Sequence, residues 1–295
     1  MDASTPLPRS APIVWWANKW SIQRYAARTA IYLVLILGAA FFSVPLLWMV
    51  TTSLKAPWAI SLRPPQIIPD PVQWRNYSDI WRMLPFGIFL RNTIYITAAN
   101  LILTVLSCTL VGYGFARLDF PGRGLWFVVL LATMMLPYQV TMIPVFMIFR
   151  KLNWVNTYKP LIVPAAFGSA FFIFLLRQFF MTIPRDLDDA ATVDGCGRVS
   201  MLWRIHVHLI KPALAAMVVF SFIDNWNNFM GPLIYLNETK KMTLAVGLNL
   251  FRGQNYTQTH YLMAASTFTL APVLVVFFLA QKYFIQGITL TGIKG

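Results

Sequence analysis

The sequence predicts an all-α membrane protein with six transmembrane helices. Hydrophobic residues make up 58% of the chain and charged residues only 12%, which is about half the charge density of a soluble domain. The hydrophobic residues gather in long runs, and a helix needs about 20 apolar residues to cross a bilayer. A count of five or seven stays open, because the last run is longer than one span needs. The six expected spans are residues 29–50, 92–115, 124–149, 160–181, 212–236 and 262–283.

The first span predicts an anchor that is kept in the mature protein. A cleaved secretory signal has an apolar core of about 7–15 residues, whereas residues 29–50 form one longer run. We therefore expect a basic tail at residues 1–28 and a single transmembrane domain at residues 29–295. The net charge of +14 does not indicate nucleic-acid binding, because the basic residues are scattered among the spans.

Proline residues shape the first loop and the third span. Six prolines lie between Lys55 and Arg91 and predict an extended loop, because proline lacks a backbone donor and breaks helices. Pro137 and Pro144 fall inside the third span, where proline is tolerated if neighbouring helices or water satisfy the freed carbonyl groups. Two interpretations stay open: a kinked packing helix, or a helix broken where it lines a transport pathway.

The fifth span ends in a polar cluster. Asp224, Asn225, Trp226 and Asn228 are candidates for residues that face the pathway or the substrate, because ionisable groups within membranes usually face a cavity or a partner. Asp224 lies 13 residues after Lys211, or about 20 Å along a helix, which favours a water-filled cavity. The alternative is that the apolar run has ended and these residues form the outer mouth.

Residues 184–211 form the longest charged segment between two spans and hold four of the ten acidic residues. Pro184 suits the first turn of a helix. Three aspartates between positions 186 and 189 follow, where the helix dipole favours negative charge. Gly195 permits the left-handed turn that commonly ends a helix. The pattern predicts a short helix that stops at this glycine.

A second amphipathic helix is predicted after Gly197, because Leu202, Ile205 and Leu209 recur at helical spacing. Two short helices with a narrow alanine face at residues 190–191 would form a knob that seats in a groove of another protein. The alternative is a pair of helices that lie on the bilayer surface. We find no phosphate-binding glycine loop, nucleophile elbow or metal-ligand cluster, and expect no catalytic residue and no metal site.

The segment DLDDAATVDG, residues 186–195, resembles the EAA loop of binding-protein-dependent ABC importers, whose pattern is Glu-Ala-Ala, three residues, then Gly. Asp189 stands at the glutamate position as a shorter acid, and His208 stands where a proline is usual. Further motifs make most of the chain similar to the six-span permeases of the maltose-type carbohydrate subfamily. These motifs are residues 52–55, 112–117, 120–123, 136–144, 175–180, 226–229, 232–234 and 292–295.

The resemblance implies a six-helix ABC importer permease whose two-helix coupling (EAA) loop is cytoplasmic and docks on an ATP-hydrolysing subunit. ATP and magnesium would then belong to that partner, and this chain would bind no cofactor and catalyse no reaction. The implied location is the bacterial inner membrane with both termini cytoplasmic; the basic residues of the loops alone do not decide the orientation. The implied partners are a homologous second permease subunit, two ATP-binding cassette subunits and an extracytoplasmic solute-binding protein. The residues expected to couple to the ATPase are Asp189, Ala190, Ala191, Asp194 and Gly195.

The expected function is therefore the permease subunit of an ATP-driven importer of sugars or oligosaccharides, forming half of the translocation pathway. The alternative from another class is an ion-coupled secondary transporter, with Asp224 as its intramembrane acid. Basic residues outnumber acids in the presumed outer loops, and such an excess concentrates anions. An acidic oligosaccharide or glycerol phosphate is accordingly one hypothesis for the substrate; the other is that these basic residues contact the binding protein.

Overall fold

The computed structural model describes residues 15–252 and 258–291. Every regular element in those ranges is a helix and none is a strand, so the predicted all-α class is confirmed. Residues 1–14 of the predicted tail and the motif at 292–295 lie outside the described residues. The helices are α1 (Trp15–Ser53), α2 (Arg75–Met83), α3 (Phe86–Arg117), α4 (Arg123–Ala132), α5 (Tyr138–Lys151), α6 (Lys159–Ile162), α7 (Ala170–Met181), α8 (Asp186–Val193), α9 (Arg198–Met201), α10 (Val207–Leu209), α11 (Lys211–Trp226), α12 (Met230–Tyr235), α13 (Leu244–Asn249) and α14 (Thr259–Thr291).

Four helical stretches in the described part are long and apolar enough to cross a membrane, and six are if each of two bent pairs is one span. The four overlap the first, second, fourth and sixth predicted spans, and each begins one to six residues before its predicted start. The first bent pair overlaps the third predicted span, whereas the second pair overlaps the fifth only through its second half, because its first half lies in the segment 184–211. The four stretches are Ala27–Ser53, Phe86–Arg117, Lys159–Thr182 and Thr259–Gln281, and the pairs are Arg123–Met135 with Tyr138–Lys151 and Arg198–Leu209 with Lys211–Trp226.

The third predicted span is broken rather than kinked. Its two halves, α4 with a 3-10 turn and then α5, meet at 100°. The break falls at Pro137, and the preceding Leu136 is extended with ψ 114°, because the proline ring disfavours the helical conformation for the residue before it. Pro144 lies inside α5 without ending it. Of the two open interpretations, the structure therefore has the broken helix.

The fourth and fifth predicted spans are also interrupted. A 3-10 turn, Val163–Phe167, separates α6 from α7, and Gly168 ends it with φ 79°, a conformation that favours glycine. The fifth span is α11, which ends at Trp226, followed by a non-helical step and the short α12. The polar run of this span is thus placed at a helix end, where backbone groups need partners other than the helix itself.

Two buried apolar clusters lie toward opposite ends of α3. The cluster at its C-terminal end joins α7, α11 and the segment around Leu202. The cluster at its N-terminal end joins α2, α13 and α14 and contains Phe86 and Phe89, both fully buried. Along α1 none of the most apolar window is buried, and α4 and α5 contain no buried residue. These outer helices therefore present apolar surface to lipid or to another chain.

Candidate functional site

The coupling segment, residues 184–211, begins with α8, and backbone hydrogen bonds cap the C-terminal end of this helix. Asp186, at the start of α8, is followed by two further aspartates in the first turn. At the other end the N–H of Gly195 donates to the carbonyl of Thr192 (3.0 Å) and the N–H of Cys196 to that of Ala191 (2.8 Å). This pair of hydrogen bonds is the Schellman motif, which requires the left-handed φ of 75° found at Gly195.

The candidate coupling residues divide into exposed and buried positions. Asp189, Ala190, Asp194 and Gly195 are exposed, whereas Ala191 is buried against the chain's own core. Of the expected alanine pair, only Ala190 therefore lies on the surface of this chain, and Ala191 packs inside it.

Two apolar side chains that sequence reasoning did not single out flank the glycine turn. Val193 is 88% exposed and Val199 is 68% exposed. The two valines therefore add exposed apolar surface beside the turn. In the sequence, the only indication of this placement is that each valine lies two residues from a glycine of the turn, Gly195 or Gly197.

The second helix of the segment departs from the predicted spacing. It consists of α9, a π-helical turn at Leu202–His206, and α10. A π turn inserts one residue into the helical repeat, so Ile210 rather than Leu209 reaches the core: Leu209 is half exposed and Ile210 is 1% exposed. The prediction for Leu209 was wrong for this reason.

The same π turn points His206 inward, where it meets an ion pair between α8 and α3. The Arg117 Nη1 atom lies 2.9 Å from Asp188 Oδ2, and the His206 Nε2 atom lies 2.9 Å from Asp188 Oδ1. The Arg117 side chain is 4% exposed and that of His206 is 0% exposed. We call these three residues the Asp188 cluster.

Further contacts fix the Asp188 cluster in the core. Arg117 Nη2 donates to the carbonyls of Phe180 (2.6 Å) and Ile183 at the end of α7. The ring of Tyr113 packs edge-on against His206, with centroids 5.2 Å apart. The exposed α8 is therefore joined to α3 by the hydrogen bond between Asp188 and Arg117, and Arg117 in turn holds the end of α7. Sequence spacing gave no sign of this, because Arg117 and Asp188 are 71 residues apart.

The polar end of the fifth span lines a cavity of about 500 Å³. Asp224 and Asn228 lie in its wall, together with Asn227 and with Tyr138, the first residue of α5. The break at Pro137 therefore brings the start of α5 to the same cavity as the end of α11. This placement joins two features that the sequence showed only separately.

The other two candidate pathway residues point elsewhere. Trp226 is buried, and its Nε1 donates to the carbonyl of Thr269 in α14 at 3.0 Å. Asn225 donates to the carbonyl of Ser221, one turn earlier in α11, at 2.8 Å. The structure therefore does not place these two side chains among the cavity's lining residues.

A family model described as the inner membrane component of binding-protein-dependent transport systems matches residues 108–290. The chain belongs to this family. The matched range includes the whole coupling segment and every residue that lines the Asp224 cavity. It is thus a transport permease and not an enzyme, and the alternative of an ion-coupled secondary transporter is unsupported.

Named relatives cover nearly the whole permease. The arabinooligosaccharides transport system permease protein AraQ of Halalkalibacterium halodurans is 32% identical over 89% of this chain and 96% of its own. The sn-glycerol-3-phosphate transport system permease protein UgpE of Yersinia pestis is 32% identical over 87% of this chain and 94% of its own. These relatives confirm the resemblance to carbohydrate permeases that the sequence motifs indicated.

A solved structure shares the fold of the permease. One chain of a bacterial ABC transporter involved in the import of the acidic polysaccharide alginate superposes with a TM-score of 0.77 at 22% identity, covering 90% of this chain and 98% of that one. The predicted fold of an ABC importer permease is therefore confirmed.

A polar cluster ties together two loops of the permease outside the spans. Asn156 has φ 61°, and its Nδ2 donates to Glu238 Oε1 at 2.5 Å. The Lys241 ammonium donates to the same oxygen at 3.0 Å. These hydrogen bonds, that from Lys241 foremost, lower the pKa of the Glu238 carboxyl from its ordinary value. The loop after α5 is thereby fixed to the segment after α12.

Proposed function

We propose that this permease is one membrane subunit of an ATP-driven importer of sugars or oligosaccharides. Support comes from the relatives, whose names give arabinooligosaccharides and sn-glycerol-3-phosphate as transported compounds. These two substrates differ in charge, so the relatives support carbohydrate-like cargo and leave its charge open. A second permease subunit would supply the other half of the pathway, facing the exposed apolar helices.

ATP hydrolysis would take place on two partner ATPase subunits, which would hold the nucleotide and magnesium. A solute-binding protein would deliver the substrate; a structure of the alginate transporter with its periplasmic protein has a chain of similar fold, with a TM-score of 0.57 at 15% identity. The proposed location is the bacterial inner membrane, with the coupling segment and both termini in the cytoplasm.

The single observation that carries the coupling role is that α8 is exposed on one face and anchored on the other. Asp189, Ala190, Asp194 and Gly195 are open to a partner, while Asp188 on the same helix is held by Arg117 at 2.9 Å. A partner that moves α8 would therefore move α3 and α7 with it. Such coupling requires that each state of the ATPase bind α8 differently, since otherwise no equilibrium shifts.

The coupling segment leads directly into α11, which reaches the cavity. This helix begins at Lys211, the last residue of the coupling segment, and carries Asp224 near its other end, about 20 Å away. A rigid movement of α11 would open the cavity to one side of the membrane or the other. This is alternating access, with the cavity at the far end of the moving helix.

Two substitutions of similar size at Gly195 test this coupling. Asparagine tolerates a positive φ, whereas a β-branched residue there is a conformational outlier, and open space surrounds the glycine within 4 Å. We expect Gly195→Asn to keep transport-linked ATPase activity within about twofold of wild type. Gly195→Val should lower it about tenfold, since left-handed backbone costs an L-residue about 1–2 kcal/mol.

The measurement uses the purified complex in proteoliposomes, with assembly checked by co-purification of all subunits. Equal uptake and equal substrate-stimulated ATP hydrolysis in the valine and asparagine variants, both fully assembled, would contradict the proposed role of the α8 cap.

A further inference from the structure

The cavity beside Asp224 bears on the charge of the substrate, an inference that rests on the proposed function. Its polar lining consists of one carboxylate, two amides and one phenol, from Asp224, Asn227, Asn228 and Tyr138. The other described lining residues are Ile223, Met230 and Gly231, so none of the residues that the structure describes at this cavity is a lysine, arginine or histidine.

Within residues 15–252 and 258–291, no hydrogen bond or ion pair occupies the Asp224 carboxylate. The residue is exposed in the wall of the cavity. A carboxylate that no other group of the chain contacts has all its acceptor positions open to a ligand. It therefore attracts hydrogen-bond donors and repels a second anion brought near it.

The two amides are held so that each offers a different group. Asn227 Nδ2 donates to the carbonyl of Ile223 at 2.9 Å, which leaves its Oδ1 as an acceptor. Asn228 Oδ1 accepts from the N–H of Gly231 at 3.1 Å, which leaves its Nδ2 as a donor. Together with Asp224 the site offers more acceptors than donors, which matches a ligand that carries many hydroxyl groups.

Gly231 keeps the Asn228 amide in place. A Cβ atom at this position would lie 3.0 Å from Leu161 Cδ2 and 3.3 Å from both terminal atoms of Asn228. The close approach is possible only because glycine has no side chain. Tyr138, half exposed, adds an aromatic face of the kind that packs on the C–H face of a sugar ring, with its polar hydroxyl at the edge.

We propose that this cavity contacts a neutral, hydroxyl-rich saccharide and that Asp224 discriminates against carboxylated or phosphorylated substrates. Asp224 accepts hydrogen bonds from sugar hydroxyls in the site and is its specificity-determining residue. The excess of basic residues in the loops then acts elsewhere than on the substrate, and an anionic substrate is disfavoured at the cavity itself.

Equilibrium binding to the assembled complex tests the proposal without the solute-binding protein, which would otherwise select the substrate first. The probes are trimers of arabinose, glucose and galactose, the uronic-acid trimers of the two hexoses, and glycerol with glycerol 3-phosphate. Saturation-transfer NMR titrations give the dissociation constants. In the wild type we expect each anionic member of a matched pair to bind at least tenfold more weakly than its neutral counterpart.

The Asp224→Asn variant keeps the shape of the side chain and removes its charge. In this variant we expect the dissociation constants of the anionic and neutral members of each pair to differ by threefold or less. Asp70→Asn, which removes a charge from the first loop, should leave the preference unchanged. The proposal is overturned if no neutral probe binds, if anionic probes bind as well as neutral ones, or if Asp224→Asn and Asp70→Asn give the same preference. Co-purification of the ATPase subunits is checked before the titration. Failure of the complex to assemble is thereby distinguished from failure of the charge preference.

Discussion

Asp188 and Asp189 are neighbours in α8 with different surroundings. Asp189 is exposed, and it is the residue that the motif singles out. Asp188 faces inward, where its two oxygens each lie 2.9 Å from a nitrogen of Arg117 or His206. The carboxylate neutralises a buried guanidinium, and removing one partner of such a pair costs about 3–5 kcal/mol.

Asp188→Asn should therefore destabilise the permease by about 3 kcal/mol and lower substrate-linked ATP hydrolysis. Its matched control is Asp186→Asn, which removes an exposed charge from the same first turn and should change stability by less than about 0.5 kcal/mol. Thermal unfolding of the purified complex measures both. Equal melting temperatures would show that the Asp188 cluster does not anchor α8.

Single residues were predictable from the sequence where the local chain determines them. The glycine at the end of α8 and the exposure of Asp189 and Asp194 follow from helix capping and charge. The contact of Arg117 with Asp188 depends on the tertiary packing of α3 against α8. The inward turn of His206 depends on a π turn that no regular spacing reveals.

At the level of helices, the packing of α13 on α3 relies on a glycine. A Cβ atom at Gly247 would lie 2.4 Å from Phe89 Cδ2, and Phe89 is fully buried. Gly114 offers a contrast within α3, because a Cβ atom there has no neighbour within 4 Å. The close approach of α13 to α3 therefore depends on glycine at position 247, whereas no such contact depends on glycine at position 114.

Gly247→Ala is expected to destabilise the permease by about 1–3 kcal/mol, because a well-packed core accommodates an added methyl only by shifting its neighbours. Gly114→Ala should be neutral or stabilising by up to about 1 kcal/mol, since alanine is the better helix former. Melting temperatures of the two variants provide the comparison. The packing described for α13 would be refuted by a Gly247→Ala variant as stable as Gly114→Ala.

The apolar runs located the helices, since a long run without charge has few alternatives to a membrane helix. They did not give the internal breaks of the spans. Pro137 marked one such break, but proline inside a span is compatible with either a kink or a break. The polar run at the end of α11 predicted a cavity, but it did not show that the helix stops at Trp226.

For the whole molecule, α11 connects the two candidate sites. Its first residue, Lys211, is the last of the coupling segment, and Asp224 lies near its other end at the cavity. Charge in the loops could not decide which end is cytoplasmic, whereas the EAA-like motif implies an orientation. The proposed coupling requires that the α8 end contact an ATPase subunit.

Photo-cross-linking in native membranes tests this contact most directly. A benzoylphenylalanine is placed at Ala190, the exposed alanine of α8, and in a control at Tyr95, which is 57% exposed on α3. We predict abundant cross-links from position 190 to the ATP-binding subunit and none from position 95. An assembled, transporting complex that gives no such cross-link from position 190 would contradict the account.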